Sequence, residues 1–121
     1  IRYLQEIGLQ NVAAHEKKLT REMLSLLLEL GVEVYGPMKP EDRIGLLSFN
    51  LKGVDPHQVA LALDRRSIIV RSGHHCAIPL HTRLLKAPRG SVRASVYLYN
   101  GLQDVESLID ALGKVGAPAG I

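Results

Sequence analysis

Between Asn11 and Gly31, Leu19, Met23, Leu26, Leu27 and Leu30 recur at helical spacing. Residues three and four apart share one face of a helix, so this stripe predicts a long amphipathic helix. Lys17, Lys18, Arg21, Glu22 and Glu29 lie largely off the stripe and mark its wet side. Asn11 can cap the start of the helix, and Gly31 can end it in the left-handed conformation that glycine adopts freely. A helix with one apolar face draws its stability from packing against a second layer, which the rest of the chain must supply. Upstream, residues 2–7 read as the end of another helix, stopped by Gly8.

The second layer reads as short strands. Val32 to Tyr35 is one, ended by Gly36-Pro37, and Met38 to Arg43 is a polar loop. Ile44 to Leu51 is the strongest strand candidate, and Lys52-Gly53-Val54 turns the chain after it. Asp55-Pro56-His57-Gln58 is a helix start, with an Asp cap, Pro at the first helical position and Gln at the third. Val59, Leu61, Ala62 and Leu63 carry that helix to about Arg65. Ser67 to Arg71 is short and β-branched, a strand, and Pro79 to Lys86 is a short helix ahead of Pro88. Val92, Ala94, Val96 and Leu98 alternate with Arg93, Ser95 and Tyr97, as in a half-buried strand. Asn100-Gly101 breaks it. A last helix packs with Leu102, Val105, Leu108, Ile109, Leu112 and Val115, and Asp104 and Glu106 sit near its positive end. Gly116 to Gly120 reads as a loose tail. The expected class is α+β, a small and mostly antiparallel sheet with helices on one face.

A chain of 121 residues is expected to form a single domain, and 46% hydrophobic against 22% charged residues is ordinary globular usage. No apolar run approaches the roughly 18 residues of a membrane span. The start, Ile1-Arg2-Tyr3-Leu4-Gln5-Glu6, shows no signal-peptide pattern and no initiator Met, which leads us to expect a fragment or a processed product. One cysteine cannot form an internal disulfide, and that favours a reducing compartment, the cytoplasm.

That cysteine stands out. From Arg65 to Arg93 there are seven Lys or Arg and no Asp or Glu, and Cys76 lies inside this stretch beside His74 and His75. A cysteine reacts as a thiolate, and nearby positive charge favours that form. Nucleic acid is a poor match for the basic cluster, because Phe49 and four tyrosines offer few stacking platforms. His74, His75, Cys76 and His81 are potential zinc ligands, but zinc ribbons and fingers set paired ligands on two separated arms, so no metal site is expected. His57 and His15 read as surface residues. A small basic module that binds metal or a protein partner, with Cys76 incidental, is the competing class.

Arg71-Ser72-Gly73-His74-His75-Cys76-Ala77-Ile78-Pro79-Leu80 resembles the active-site cysteine loop of group II cysteine desulfurases, the SufS-like branch of the class V aminotransferases. The resemblance extends to Val34-Tyr35-Gly36-Pro37, Val92-Arg93-Ala94-Ser95 and Tyr97-Leu98-Tyr99-Asn100, and so covers nearly the whole chain. It implies the small C-terminal domain of a fold-type I pyridoxal-phosphate enzyme. Residues 1–30 would be helices joining it to a large domain that holds pyridoxal 5'-phosphate. No lysine here matches the family's cofactor-anchoring motif, so no cofactor-binding residue is expected in this chain and the isolated chain is expected to be inactive. By resemblance Cys76 is the nucleophile that takes sulfur from L-cysteine, leaving L-alanine and a persulfide for a sulfur-acceptor protein that serves iron–sulfur cluster assembly or other delivery. Arg93 would hold the substrate carboxylate, a task that suits its planar fork. Arg71 would add charge and positioning, with His74, His75 and Asn100 in supporting roles. L-selenocysteine is an alternative substrate, as in a selenocysteine lyase of the same family, and a homodimer is implied. Two departures stand out: His81 replaces a usual apolar residue, and the stretch from Cys76 to Arg93 is slightly long.

Overall fold

The structure is a computed structural model and describes residues 1–115. The expected tail over Gly116–Gly120 lies outside the described residues. Helix α1 covers Arg2–Ile7 and α2 covers Leu9–Leu30. They are joined at Gly8, whose φ of 92° belongs to glycine. The long helix therefore starts two residues before the expected cap. Asn11 works backwards instead, its Nδ2 donating to the Ile7 carbonyl at 2.7 Å. Gly31 does end α2, left-handed at φ 81°. The buried stripe of α2 is Val12, Leu19, Thr20, Met23, Leu24 and Leu27, while Leu30 at the end is exposed.

Strands β1 (Glu33–Tyr35), β2 (Leu46–Asn50), β3 (Arg71–Gly73) and β4 (Ser91–Ser95) form one sheet in the order β1-β2-β4-β3, every pair antiparallel. Helix α3 spans Pro56–Asp64, capped by the Asp55 side chain on the His57 amide at 2.8 Å. Helix α4 spans Leu102–Val115. Leu47 and Phe49 on β2 and Val92 and Ala94 on β4 point into a core shared with α2, α3 and α4. Full burial of each large side chain there is worth about 1.5–3 kcal/mol. The residues between them, Ser48 and Arg93, lie on the opposite face, directly across from each other in the register.

Three segments differ from expectation. The strand expected at Ser67–Arg71 begins only at Arg71. Ser67 sits at φ 61° and Ile69 is 89% exposed, so β-branching here does not signal pairing. The strand expected to reach Leu98 stops at Ser95, because Asn100 Oδ1 accepts the Tyr97 amide at 2.9 Å and closes a turn. The loop Met38–Arg43 is less polar in effect than its composition. It holds a 3-10 turn over Pro40–Asp42, and Arg43 is buried with its guanidinium on the Tyr35 and Pro37 carbonyls. Lys17 ties the same loop to α2, donating to the carbonyls of Pro40, Glu41 and Arg43 at 3.2, 2.7 and 2.8 Å.

Candidate active site

Strand β3 delivers the chain to Gly73 at φ 126°, which a side chain would resist. Beyond it the His74 carbonyl accepts the Ala77 amide at 2.8 Å. The two residues inside that turn, His75 and Cys76, both stand left-handed, at φ 51° and 62°. For L-residues other than glycine this costs about 1–2 kcal/mol each and persists only where surrounding contacts enforce it. Cys76 is exposed on the turn and free.

The enforcing contacts come from the chain ahead of β4. Gly90, at φ 91°, lies so close to Gly73 that a Cβ there would strike the Gly73 main chain. His74 Nε2 donates to the Pro88 carbonyl at 2.8 Å and His75 Nε2 to the Ser91 carbonyl at 3.1 Å. Neighbours on an extended chain would point apart, but the left-handed turn sends both imidazoles to the same segment. Burial pulls the His75 imidazole below the ordinary histidine range, and the charges of Arg93, His81 and Arg71 push the same way, against the bond to Ser91. The other ring nitrogen of His75, Nδ1, is buried with no partner among the described residues.

Arg93 on β4 and Arg71 on β3 are direct cross-strand partners on the face that the helices leave bare. Arg93 is half-buried and Arg71 exposed, and neither makes an ion pair among the described residues. Like charges in that position repel, so the pair is an unfilled demand for an anion. The cysteine turn begins directly after β3, at the residue that follows Gly73.

Asn100 is elsewhere. Its carbonyl accepts from His15 Nε2 at 2.7 Å and its Nδ2 donates to Asp104 at 3.3 Å, so it organises the entry to α4. His15 is half-buried for that contact; His57 is exposed and bonds Ser72 Oγ at 2.8 Å. The rings of His74, His75 and His81 gather, with the His81 centroid 5.6 Å from that of His74 and 5.9 Å from that of His75. Their nitrogens turn to backbone and to Ser91, and among the described residues no three His, Cys, Asp or Glu groups converge as metal ligands. Sequence reasoning missed Gly90 and Ser91. The signal was available in Gly90-Ser91, a glycine and a small polar residue directly before the apolar alternation of β4.

The fold, the turn and the arginine face together define a member of a known class. Residues 1–108 match the family model described as Aminotransferase class-V, and the chain belongs to that family. A probable cysteine desulfurase of Pyrococcus abyssi is 41% identical over 115 residues, 95% of this chain and 28% of that protein. One of Halalkalibacterium halodurans is 45% identical, over 94% of this chain and 27% of its own length. The apo cysteine desulfurase of Thermococcus onnurineus NA1 superposes with a TM-score of 0.88 at 42% identity, covering 94% of this chain and 28% of that one. This chain thus spans about 28% of the length of such relatives. The α+β class with an antiparallel sheet agrees with expectation. Among the described residues, no helix is long and apolar enough to cross a membrane.

Proposed function

We propose that this chain is the C-terminal, sulfur-accepting part of a cysteine desulfurase. The observation that carries the proposal is an exposed cysteine on a left-handed turn that follows directly from β3, whose Arg71 pairs in register with Arg93, neither arginine in an ion pair among the described residues. Cys76 accepts the sulfur of L-cysteine: the substrate C–S bond breaks, an S–S bond forms, and L-cysteine plus the Cys76 thiol become L-alanine plus the Cys76 persulfide. Arg93 holds the substrate carboxylate, since a guanidinium fork meets both oxygens. Arg71, one strand over, adds positive charge. A sulfur-acceptor protein then removes the outer sulfur for iron–sulfur assembly or another use, in the cytoplasm.

Pyridoxal 5'-phosphate, the cofactor that the family implies, labilises bonds of a bound amino acid. No lysine of this chain stands in a sequence that resembles the family's cofactor-anchoring motif. The four strands contain no lysine, Lys17 is committed to three carbonyls, and Lys114 pairs with Asp110 at 2.8 Å. In this proposal it is held by residues outside the chain, in a large domain that also forms the homodimer.

The test uses the full-length protein containing this chain and measures alanine released from L-cysteine and from L-selenocysteine, with and without Cys76→Ser. Loss of the cysteine reaction alone is expected, because the weaker C–Se bond depends less on the thiol. Failure of the unaltered protein to process L-cysteine would sink the proposal. Turnover of selenocysteine only would reassign it as a selenocysteine lyase.

A further inference from the structure

One buried group beside Cys76 has no part in that chemistry. His81 is 3% exposed, inside a single π turn over Leu80–Leu84. Its Nδ1 lies 2.9 Å from the Ala77 carbonyl and its Nε2 2.9 Å from Ser91 Oγ. A carbonyl only accepts, so Nδ1 carries the hydrogen. In the neutral ring Nε2 then accepts, and the Ser91 hydroxyl donates to it. Both nitrogens are satisfied, as a buried imidazole requires.

The two partners are not arbitrary. Ala77 is the residue whose amide closes the cysteine turn on His74. Ser91 is the residue whose carbonyl holds His75, on the other side of Cys76. Ser91 therefore grips the turn twice, through His75 before the cysteine and through His81 to the peptide after it. The wide π turn brings His81 inward, closed by the Leu85 amide on the Leu80 carbonyl at 2.9 Å.

We propose that His81 is a positioning residue, a buried bridge from Ser91 to Ala77 that holds Cys76 in its left-handed turn. The bridge stands independently of the desulfurase proposal; its effect on turnover rests on it.

Nitrogen-15 NMR of the chain tests the bridge directly. The expected result is a His81 ring with a hydrogen on Nδ1, and a hydrogen on Nε2 alone would overturn the proposal. Hydrogen exchange of the Ala77 amide, compared with that of Val92 at the centre of the sheet, gives the second readout. His81→Leu removes both side-chain bonds, while the His81 amide keeps its own bond to the Ala77 carbonyl at 3.1 Å, and is expected to speed Ala77 exchange up to about tenfold relative to Val92, the equivalent of about one net hydrogen bond. His81→Asn retains a donor near the Nδ1 position and is expected to keep Ala77 within about threefold of the unaltered chain. Equal acceleration of Ala77 and Val92 in both variants would reduce His81 to a packing residue and refute the bridge. If His81→Leu does not fold, the tautomer and the His81→Asn exchange rate decide. In the full-length protein, His81→Leu should lower kcat for alanine release with KM unchanged, and His81→Asn should restore it. A change in KM alone would refute the effect on turnover. An unaltered protein without activity would count against the desulfurase proposal, while the NMR result still judges the bridge.

Discussion

Replacing Gly90 by alanine separates two costs that usually arrive together. Gly90 stands at φ 91°, and the added Cβ would meet the carbonyl carbon, oxygen and Cα of Gly73. The left-handed conformation alone costs alanine about 1–2 kcal/mol. The collision adds to it, because main-chain atoms cannot rotate away as a side chain would, and overpacking of this kind costs about 1–3 kcal/mol. Gly90→Ala should therefore destabilise by about 2–5 kcal/mol. Gly53 provides the control: its φ is 77°, but a Cβ added there would meet nothing within 4 Å, so Gly53→Ala carries the conformational cost alone. Urea unfolding followed by circular dichroism measures both variants, and thermal midpoints should move by about 4 °C per kcal/mol. The Gly90 variant should also change the rate at which iodoacetamide alkylates Cys76, since Gly73 opens the segment that carries it. A Gly90→Ala midpoint no lower than that of Gly53→Ala would refute the claim that Gly73 and Gly90 are in enforced contact.

The depressed affinity of His75 for a proton makes stability depend on pH. Its folded pKa lies below that of an unfolded histidine, so the unfolded chain binds the proton first as pH falls. The contribution is complete above about pH 6.5 and is lost as pH falls toward the folded pKa. His75→Gln, which keeps a donor for Ser91 and does not titrate, should flatten the urea midpoint between about pH 5.5 and 7.5 relative to the unaltered chain; an identical slope would refute it. Arg71→Gln relieves the cross-strand repulsion with Arg93 and should raise the thermal midpoint at low ionic strength, less so at about 1 M salt, where the screening length falls to about 3 Å. The same substitution should raise KM for cysteine in the full-length protein.

The helices and the central strands were legible because their signals are periodic and local. The stripe of α2, the Asp55 cap and the alternation around Val92 each act over a few residues. What the sequence concealed depends on contacts between distant segments. Ile68 to Val70 has strand composition but follows a left-handed Ser67, so it reaches the sheet only at Arg71. Asn11 has the chemistry of a cap and serves the preceding helix instead. Cys76, Arg71 and Arg93 could be picked out by motif and charge, whereas the placing of Arg71 directly across from Arg93 depends on the antiparallel register of β3 with β4. His81 reads as a departure because it stands where the family usually has an apolar residue, and its partners, Ala77 and Ser91, are identifiable only in three dimensions.

Strand β4 gives alternate residues to two different duties. Val92 and Ala94 fill the core, while Ser91 and Arg93 serve the turn and the arginine face. A slip of one residue against β2 or β3 would exchange the duties, driving Arg93 into the apolar layer and Val92 onto the bare face. Such an error could not leave a folded but idle molecule, since the guanidinium would have no partner inside. Correct assembly of the core and correct aim of the site are in this strand a single event.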